Sequence, residues 1–262
     1  MILAAGLGTR LRPLTDHMPK ALVDIGGTTL IDHTVRRLQQ AGYDRFVVNV
    51  HHMAHMLRQH VAQQDYAPRV CFSDETAELL ETGGALKHAR ELFSTDQPIL
   101  IHNVDILDNV DYAWFARQHL DTEDAVLLVS RRKTKRYLLF DTAMRLMGWT
   151  NIETGEVRSP FPWLRETPFT LDEQLLPCAV GDTPLPHRIA TLTPLAFSGI
   201  HSFSPRLFPL MERFPQRFSI IDFYLATCHR AHICGCLKQD LRVLDVGKPG
   251  ALQQAPLFLQ EC

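Results

Sequence analysis

Met1-Ile2-Leu3-Ala4-Ala5-Gly6-Leu7-Gly8-Thr9-Arg10-Leu11-Arg12-Pro13-Leu14-Thr15 opens the chain, and Pro19-Lys20-Ala21-Leu22 follows closely. An apolar, strand-like run empties into a turn of small residues, with three cations (Arg10, Arg12, Lys20) soon after. Gly6 and Gly8 let the backbone approach a ligand and turn its N–H groups inward, which suits an anion. Arg10 offers a fork of donors and Lys20 a point charge. Strand, glycine turn and cations together predict a polyphosphate cradle. A tight turn with a solvated basic edge is the plain alternative. The sharper rival is a dinucleotide-binding turn, since Gly6-Leu7-Gly8 begins like G-x-G-x-x-G. That fingerprint asks for Gly or Ala where Leu11 stands and for an acid closing the next strand. The next strand, 45–50, ends in Asn49 and His51 instead. The oxidoreductase reading weakens accordingly.

Outward from the cradle, short apolar runs alternate with amphipathic stretches. Thr28 or Thr29 caps a helix with Leu30, Ile31, Val35, Leu38 and Ala41 on one stripe, and Gly42 stands at its C′ position. Strand-like runs follow at 45–50, 69–74, 98–105 and 125–130, with a helix carrying Met53, Met56, Leu57 and Val61 between the first two. The alternation predicts an α/β class: a Rossmann-like, mostly parallel sheet with helices on both faces. A hairpin is expected over 137–149. From Thr150 to 194 the periodicity lapses and prolines recur, which predicts an irregular insertion or lid. A chain of 262 residues suits one domain spanning 1–262.

Composition excludes several classes. Lys+Arg 27 against Asp+Glu 29 gives a net charge of -2 and no electrostatic case for nucleic acid. Apolar residues at 45% and charged ones at 21% describe an ordinary globular protein, with no run of membrane-spanning length. The N-terminus lacks the charged region of a signal peptide. Cysteines 71, 178, 228, 234, 236 and 262 show no framework spacing, so free thiols in a reducing cytoplasm are expected. Cys234 and Cys236 share one face of a predicted strand and read as core packing. His51 and His55 stand at i, i+4 without an acid or thiol nearby, so strand-end histidines beside the cleft are expected rather than a metal site.

Further candidates come from position. Leu80-Glu81-Thr82-Gly83-Gly84 precedes a helical stripe, and bare glycines permit backbone to approach a planar base. Asp105 closes an apolar strand, where open α/β sheets bind ligands; one carboxylate opposite a polyphosphate suits Mg²⁺. The run Arg131, Arg132, Lys133, Lys135 and Arg136 reads as a solvated loop. Gly199 interrupts the strand 195–203, and an interior glycine implies a close approach. Asp222 opens a helix, where it favours the dipole or faces a ligand. Asp245 follows a strand and precedes Gly247-Lys248-Pro249.

The blocks at 3–22, 80–86, 102–105, 197–200 and 219–249 resemble the sugar-1-phosphate nucleotidylyltransferases. Such enzymes transfer a nucleoside monophosphate from an NTP to a sugar 1-phosphate and release pyrophosphate. The resemblance implies nucleotide contacts from Leu3, Ala4, Ala5, Gly6, Gly8, Thr9, Glu81, Gly83 and Gly84. It implies catalytic cations at Arg10 and Lys20, sugar contacts at Gly199 and Asp222, and Mg²⁺ ligands at Asp105 and Asp245. Three departures stand out. Val104 takes a glycine position, Lys248 replaces a threonine, and Arg165-Glu166-Thr167-Pro168 stands where a Glu-Lys-Pro lysine is common. Only a short helix is expected past Pro249, without the β-helix or acyltransferase domain of longer members. The short form resembles members that use UTP and N-acetylmuramic acid 1-phosphate. GTP with mannose or heptose phosphates, CTP with phosphocholine, and a non-catalytic regulatory module are the alternatives.

Overall fold

Phe46-Val47-Val48-Asn49-Val50 is buried at every position, the pattern of a strand covered on both faces. The computed structural model describes residues 1–94, 96–182, 184–248 and 250–261. The expectations for Pro249 and for the thiol of Cys262 lie outside the described residues.

Strand β1 (Ile2–Leu3) leads through the glycine loop to α1 (Leu30–Gln40), where the Thr29 hydroxyl accepts from Asp32 N as a cap. Then follow β2 (Phe46–Val50), α2 (Ala54–Ala62), β3 (Val70–Asp74), α3 (Glu81–His88) and β4 (Ile99–Asn103). These four strands form a parallel block in the order β3-β2-β1-β4. Beyond it come β5 (Ile106–Asp108), α4 (Tyr112–Ala116) and β6 (Ala125–Ser130). The expected hairpin is β7 (Arg136–Phe140) with β8 (Leu146–Asn151), extended by β9 (Glu156–Arg158).

The stretch read as irregular holds short elements: α5 (Pro162–Arg165), β10 (Phe169–Leu171), β11 (Pro177–Ala179) and α6 (His187–Ala190). Leu139, Leu164, Phe169, Ile189 and Leu192 give this region a small core of its own. The chain closes with β12 (Thr193–Phe203), α7 (Phe208–Met211), α8 (Ile220–Thr227), β13 (Ile233–Leu237), β14 (Val243–Asp245) and α9 (Ala251–Gln260).

The architecture is α/β, as the sequence predicts, with a feature that periodicity does not reveal. β12 runs antiparallel to β4 along one edge and to β6 and then β7 along the other, joining the parallel block to the hairpin. β13 adds to β6 in parallel. Alternate strand residues feed two cores. Ile2, Val48, Val50 and Leu128 pack with α1 and α2, while Val47, Ile101, Leu127 and Val129 pack with α3, α7 and α8. No described helix is long and apolar enough to cross a membrane. Burial pushes the thiols of Cys234 and Cys236 up to about 11, in keeping with packing rather than reactivity.

One buried imidazole and one half-buried one make the fold acid-sensitive. His201 is 1% exposed, neither ring nitrogen has a hydrogen-bond partner, and burial pushes it down to about 3. Burial, with Arg37 adding to it, pushes His33 down to about 4. A base with a lowered folded-state value stays neutral while the unfolded chain protonates near 6.5, so stability falls as pH drops through that window. His201 alone is expected to cost about 2–3 kcal/mol between pH 6.5 and 4.5. Chemical denaturation at pH 6.5, 5.5 and 4.5 checks this; a flat profile contradicts it.

Candidate active site

The carboxyl ends of β1, β2 and β4 open into a cleft of about 410 Å³, where open α/β sheets bind their ligands. Leu3, Ala4, Ala5, Gly6, Gly8, Thr9, Arg10, Lys20, Glu81 and Asp105 line it. A buried network fixes the loop. Asn49 Oδ1 accepts from Ala4 N at 2.7 Å and from Ala5 N at 3.3 Å, while Asn49 Nδ2 donates to Glu75 Oε1 at 2.8 Å. Glu75, 2% exposed, also accepts from Leu80 N, tying the loop to the start of α3. Burial raises the Glu75 carboxyl above the usual range, against the pull of Asn49 and Leu80 N–H.

The amides of Ala4 and Ala5 are therefore spent on Asn49. Among the described residues, those of Gly6, Leu7 and Gly8 meet no acceptor. Gly8 sits at φ 63, and a Cβ there would meet Thr15 Cγ2 at 2.8 Å. Thr15 donates to Gly8 O at 2.8 Å and holds the turn. Arg12 turns away to pair with Asp16 and does not line the cleft.

At the far wall, two turns bring Asp105 and Asp245 together. β14 pairs antiparallel with β5, setting Asp245 opposite Ile106, and Val246 N donates to Asp105 O at 2.9 Å. Lys20 Nζ donates to Asp105 Oδ2. Arg10 lies 3.6 Å and Lys248 3.9 Å from Asp245 Oδ2. Gly247 stands in the middle of this cluster. A Cβ on it would meet Lys20 Nζ at 2.4 Å, Asp105 Oδ2 at 2.9 Å and Arg10 at 3.0 Å. Gly247→Ala displaces side-chain ends rather than backbone, so stability is expected to change by less than about 1 kcal/mol. Activity is expected to fall about 10- to 100-fold, because the charged ends of Lys20, Asp105 and Arg10 are misplaced. Denaturation and steady-state rates measured on the same preparation separate the two effects.

The donor chemistry here fits a hard divalent cation. Asp105 borders the cleft and Asp245 stands on the turn bonded to it through Val246 N, and no group of three or more His, Cys, Asp or Glu converges among the described residues. Mg²⁺ is commonly held by one or two carboxylates with phosphate and water completing the shell, which matches this pair.

Several expected residues stand elsewhere. Gly83 and Gly84 do not form a bare turn against a base; they lie inside α3. Both amides donate to Phe218 O, and a Cβ on Gly84 would sit 2.1 Å from Gln216 O. Their smallness serves packing of the helix on the 216–218 segment. Glu81, at φ 62, and Thr82 present the first turn of α3 to the cleft, with Glu81 accepting from Arg217 Nε. Asp222 pairs with Arg158 at 2.6 Å. His51 contacts the Glu75 carbonyl and does not line the cleft.

Gly199, at φ 84, lies within a register shift of β12 between Phe197 and His201. A Cβ there would meet Asn103 Nδ2 at 2.8 Å, so the bulge makes room for Asn103. Gly199, Asn103, Asp245 and Lys248 border a second cavity of about 210 Å³. Arg132 borders it too, donating to Phe197 O at 2.8 Å. The basic run read as a solvated loop thus turns one guanidinium inward.

Sequence reasoning passed over Asn49, Glu75 and Gly247. Asn49 was legible only as a missing acid at a strand end, and nothing local marks Glu75 as its partner.

A glycine loop with free amides, and two carboxylates with their cations on adjoining turns, gather at the strand ends. Residues 1–138, more than half of the chain, match the family model described as Nucleotidyl transferase, and the chain belongs to that family. Over 108 residues it is 47% identical to the N-acetylmuramate alpha-1-phosphate uridylyltransferase of Caulobacter vibrioides, covering 40% of this chain and 44% of that protein. Over 135 residues it is 33% identical to the mannose-1-phosphate guanyltransferase of Yarrowia lipolytica, covering 50% of this chain and 37% of that one. The chain thus covers less than half the length of these curated relatives. The inositol-1-phosphate CTP transferase structure from T. maritima shares the fold, with a TM-score of 0.71 at 15% identity over 99% of this chain and 94% of that one.

Proposed function

We propose that this chain transfers a uridylyl group from UTP to N-acetylmuramate α-1-phosphate and releases pyrophosphate. The observation that carries the transfer is the pinning of Asp105 to the Asp245 turn beside Lys20, Arg10 and the glycine loop. The choice of base and sugar is supported by the 47% identity to the Caulobacter vibrioides uridylyltransferase. That acceptor assigns the reaction to the cytoplasm and to the supply of cell-wall precursors.

An oxygen of the acceptor phosphate attacks the α-phosphorus in line, forming a new P–O bond. The bond from the α-phosphorus to the bridging oxygen breaks, and its electron pair leaves with pyrophosphate. The acceptor phosphate is already ionised at neutral pH, so no general base is required. Catalysis then consists of positioning and charge neutralisation. The loop amides with Thr9 and Arg10 hold the leaving pyrophosphate. Lys20 serves the α-phosphate, Glu81 and Thr82 border the base, and Gly199 with Asn103 borders the sugar. Asp105 and Asp245 would hold Mg²⁺, which supplies neutralisation of the phosphates' mutual repulsion.

Pyrophosphate release tests this with UTP, CTP, GTP, ATP and dTTP against N-acetylmuramate, mannose and heptose 1-phosphates and phosphocholine. Release is expected to be greatest with UTP and N-acetylmuramate 1-phosphate. Preference for GTP with mannose 1-phosphate would transfer the assignment to the activity named for the Yarrowia relative. Nucleotide binding without release from any pair would support a regulatory module instead.

A further inference from the structure

Beyond the small cavity lies a larger one, about 510 Å³, between the β7–β9 strands and the start of α8. Arg132, Arg136 and Arg158 line it against a single carboxylate, Glu156. Of the three, Arg158 alone has carboxylate partners among the described residues, Asp222 at 2.6 Å and Glu156 at 3.7 Å, and it stacks over Trp149 at 4.0 Å. Arg136 is exposed, and its guanidinium meets no partner among the described residues. Arg132 spends one donor on Phe197 O, and its buried Nε has no hydrogen bond. Two guanidiniums thus border the cavity without a carboxylate in ion-pair contact among the described residues, although Asp245 acts on Arg132 through space, and an incoming anion would supply that contact.

Arg132 and Phe197 line both cavities, so the two are neighbours. The small one adjoins Asp245 and Lys248, where the acceptor phosphate must lie for transfer. A molecule with its phosphate there extends past Arg132 toward Arg136 and Arg158. Planar forks match carboxylates, which they bind in pairs.

We infer that the acceptor is an acidic sugar 1-phosphate, whose second anion, a carboxylate, is held by Arg132, Arg136 and Arg158. The inference deepens the transferase reading above and rests on it for the position of the phosphate. N-acetylmuramate fits as N-acetylglucosamine carrying a lactyl carboxylate; the neutral sugar lacks that group.

The test compares kcat/KM and calorimetric Kd for N-acetylmuramate 1-phosphate and N-acetylglucosamine 1-phosphate, in the parent chain, Arg136→Gln and Arg158→Gln. Arg136 is exposed, so its variant is expected to fold. The parent is expected to favour the acidic sugar, and each variant to reduce that ratio about 10- to 100-fold. Equal handling of both sugars by the parent, or a ratio unmoved in Arg136→Gln, overturns the inference while leaving transfer intact. No turnover with either sugar, but an acid-selective Kd erased by Arg136→Gln, sinks the transferase reading and upholds the carboxylate pocket.

Discussion

Asp105→Asn and Asp245→Asn are each expected to lower the rate of pyrophosphate release by at least about 10³-fold, ~4 kcal/mol of transition-state stabilisation. The isosteric amide keeps the volume and removes the charge. Asp105 accepts from Lys20, and its backbone carbonyl accepts from Val246 N, a bond that the substitution does not touch. The turn therefore stays closed. Asp245 is 23% exposed and faces Arg10 and Lys248, so losing its charge leaves two cations that water can solvate. Stability is expected to change little in Asp245→Asn, and to fall in Asp105→Asn, which leaves the nearly buried Lys20 ammonium without its carboxylate. Nucleotide binding should persist, because the loop amides and Asn49 brace are intact. Rates that remain within tenfold of the parent would remove both carboxylates from the mechanism.

Gly84→Ala opposes two magnitudes of different sign. Replacing glycine by alanine inside a helix gains about 1 kcal/mol from backbone propensity alone. Packing runs the other way, since the added Cβ would lie 2.1 Å from Gln216 O and 3.1 Å from Leu80 Cβ. The first obstacle is backbone, which cannot rotate aside, and Phe218 O is already bonded to two amides of α3. The overlap wins, with an expected net loss of about 2–3 kcal/mol and a Tm lowered by roughly 5–10 °C. Because the first turn of α3 carries Glu81 and Thr82 into the cleft, Kd for nucleotide should weaken as well. A Tm raised above the parent's would show that propensity decides and that the glycines are not packing residues.

The turn over 3–22, with its free amides and its cations beside the cleft, was legible because small residues and cations stand close in sequence there. The strands were legible because continuous apolar runs such as Ala125–Ser130 mean burial on both faces. Asp105 was legible from its place at a strand end, whereas Asp245 as its partner came only through resemblance. Their meeting depends on β14 pairing with β5, a long-range choice with no local signal. Gly83 and Gly84 show why composition misleads: a glycine needed for packing and one needed for ligand approach look alike in a sequence. Arg132 shows the same for charge. Within a run of cations, the bulge at Gly199 and the carbonyl of Phe197 decide which guanidinium turns inward.

Mass spectrometry of the products from UTP, N-acetylmuramate 1-phosphate and Mg²⁺ tests the central assignment most directly. The account predicts a UDP-linked sugar formed one-for-one with pyrophosphate, and its loss in Asp105→Asn. UTP recovered intact after binding would contradict it, and would leave the cleft a nucleotide sensor rather than a transferase.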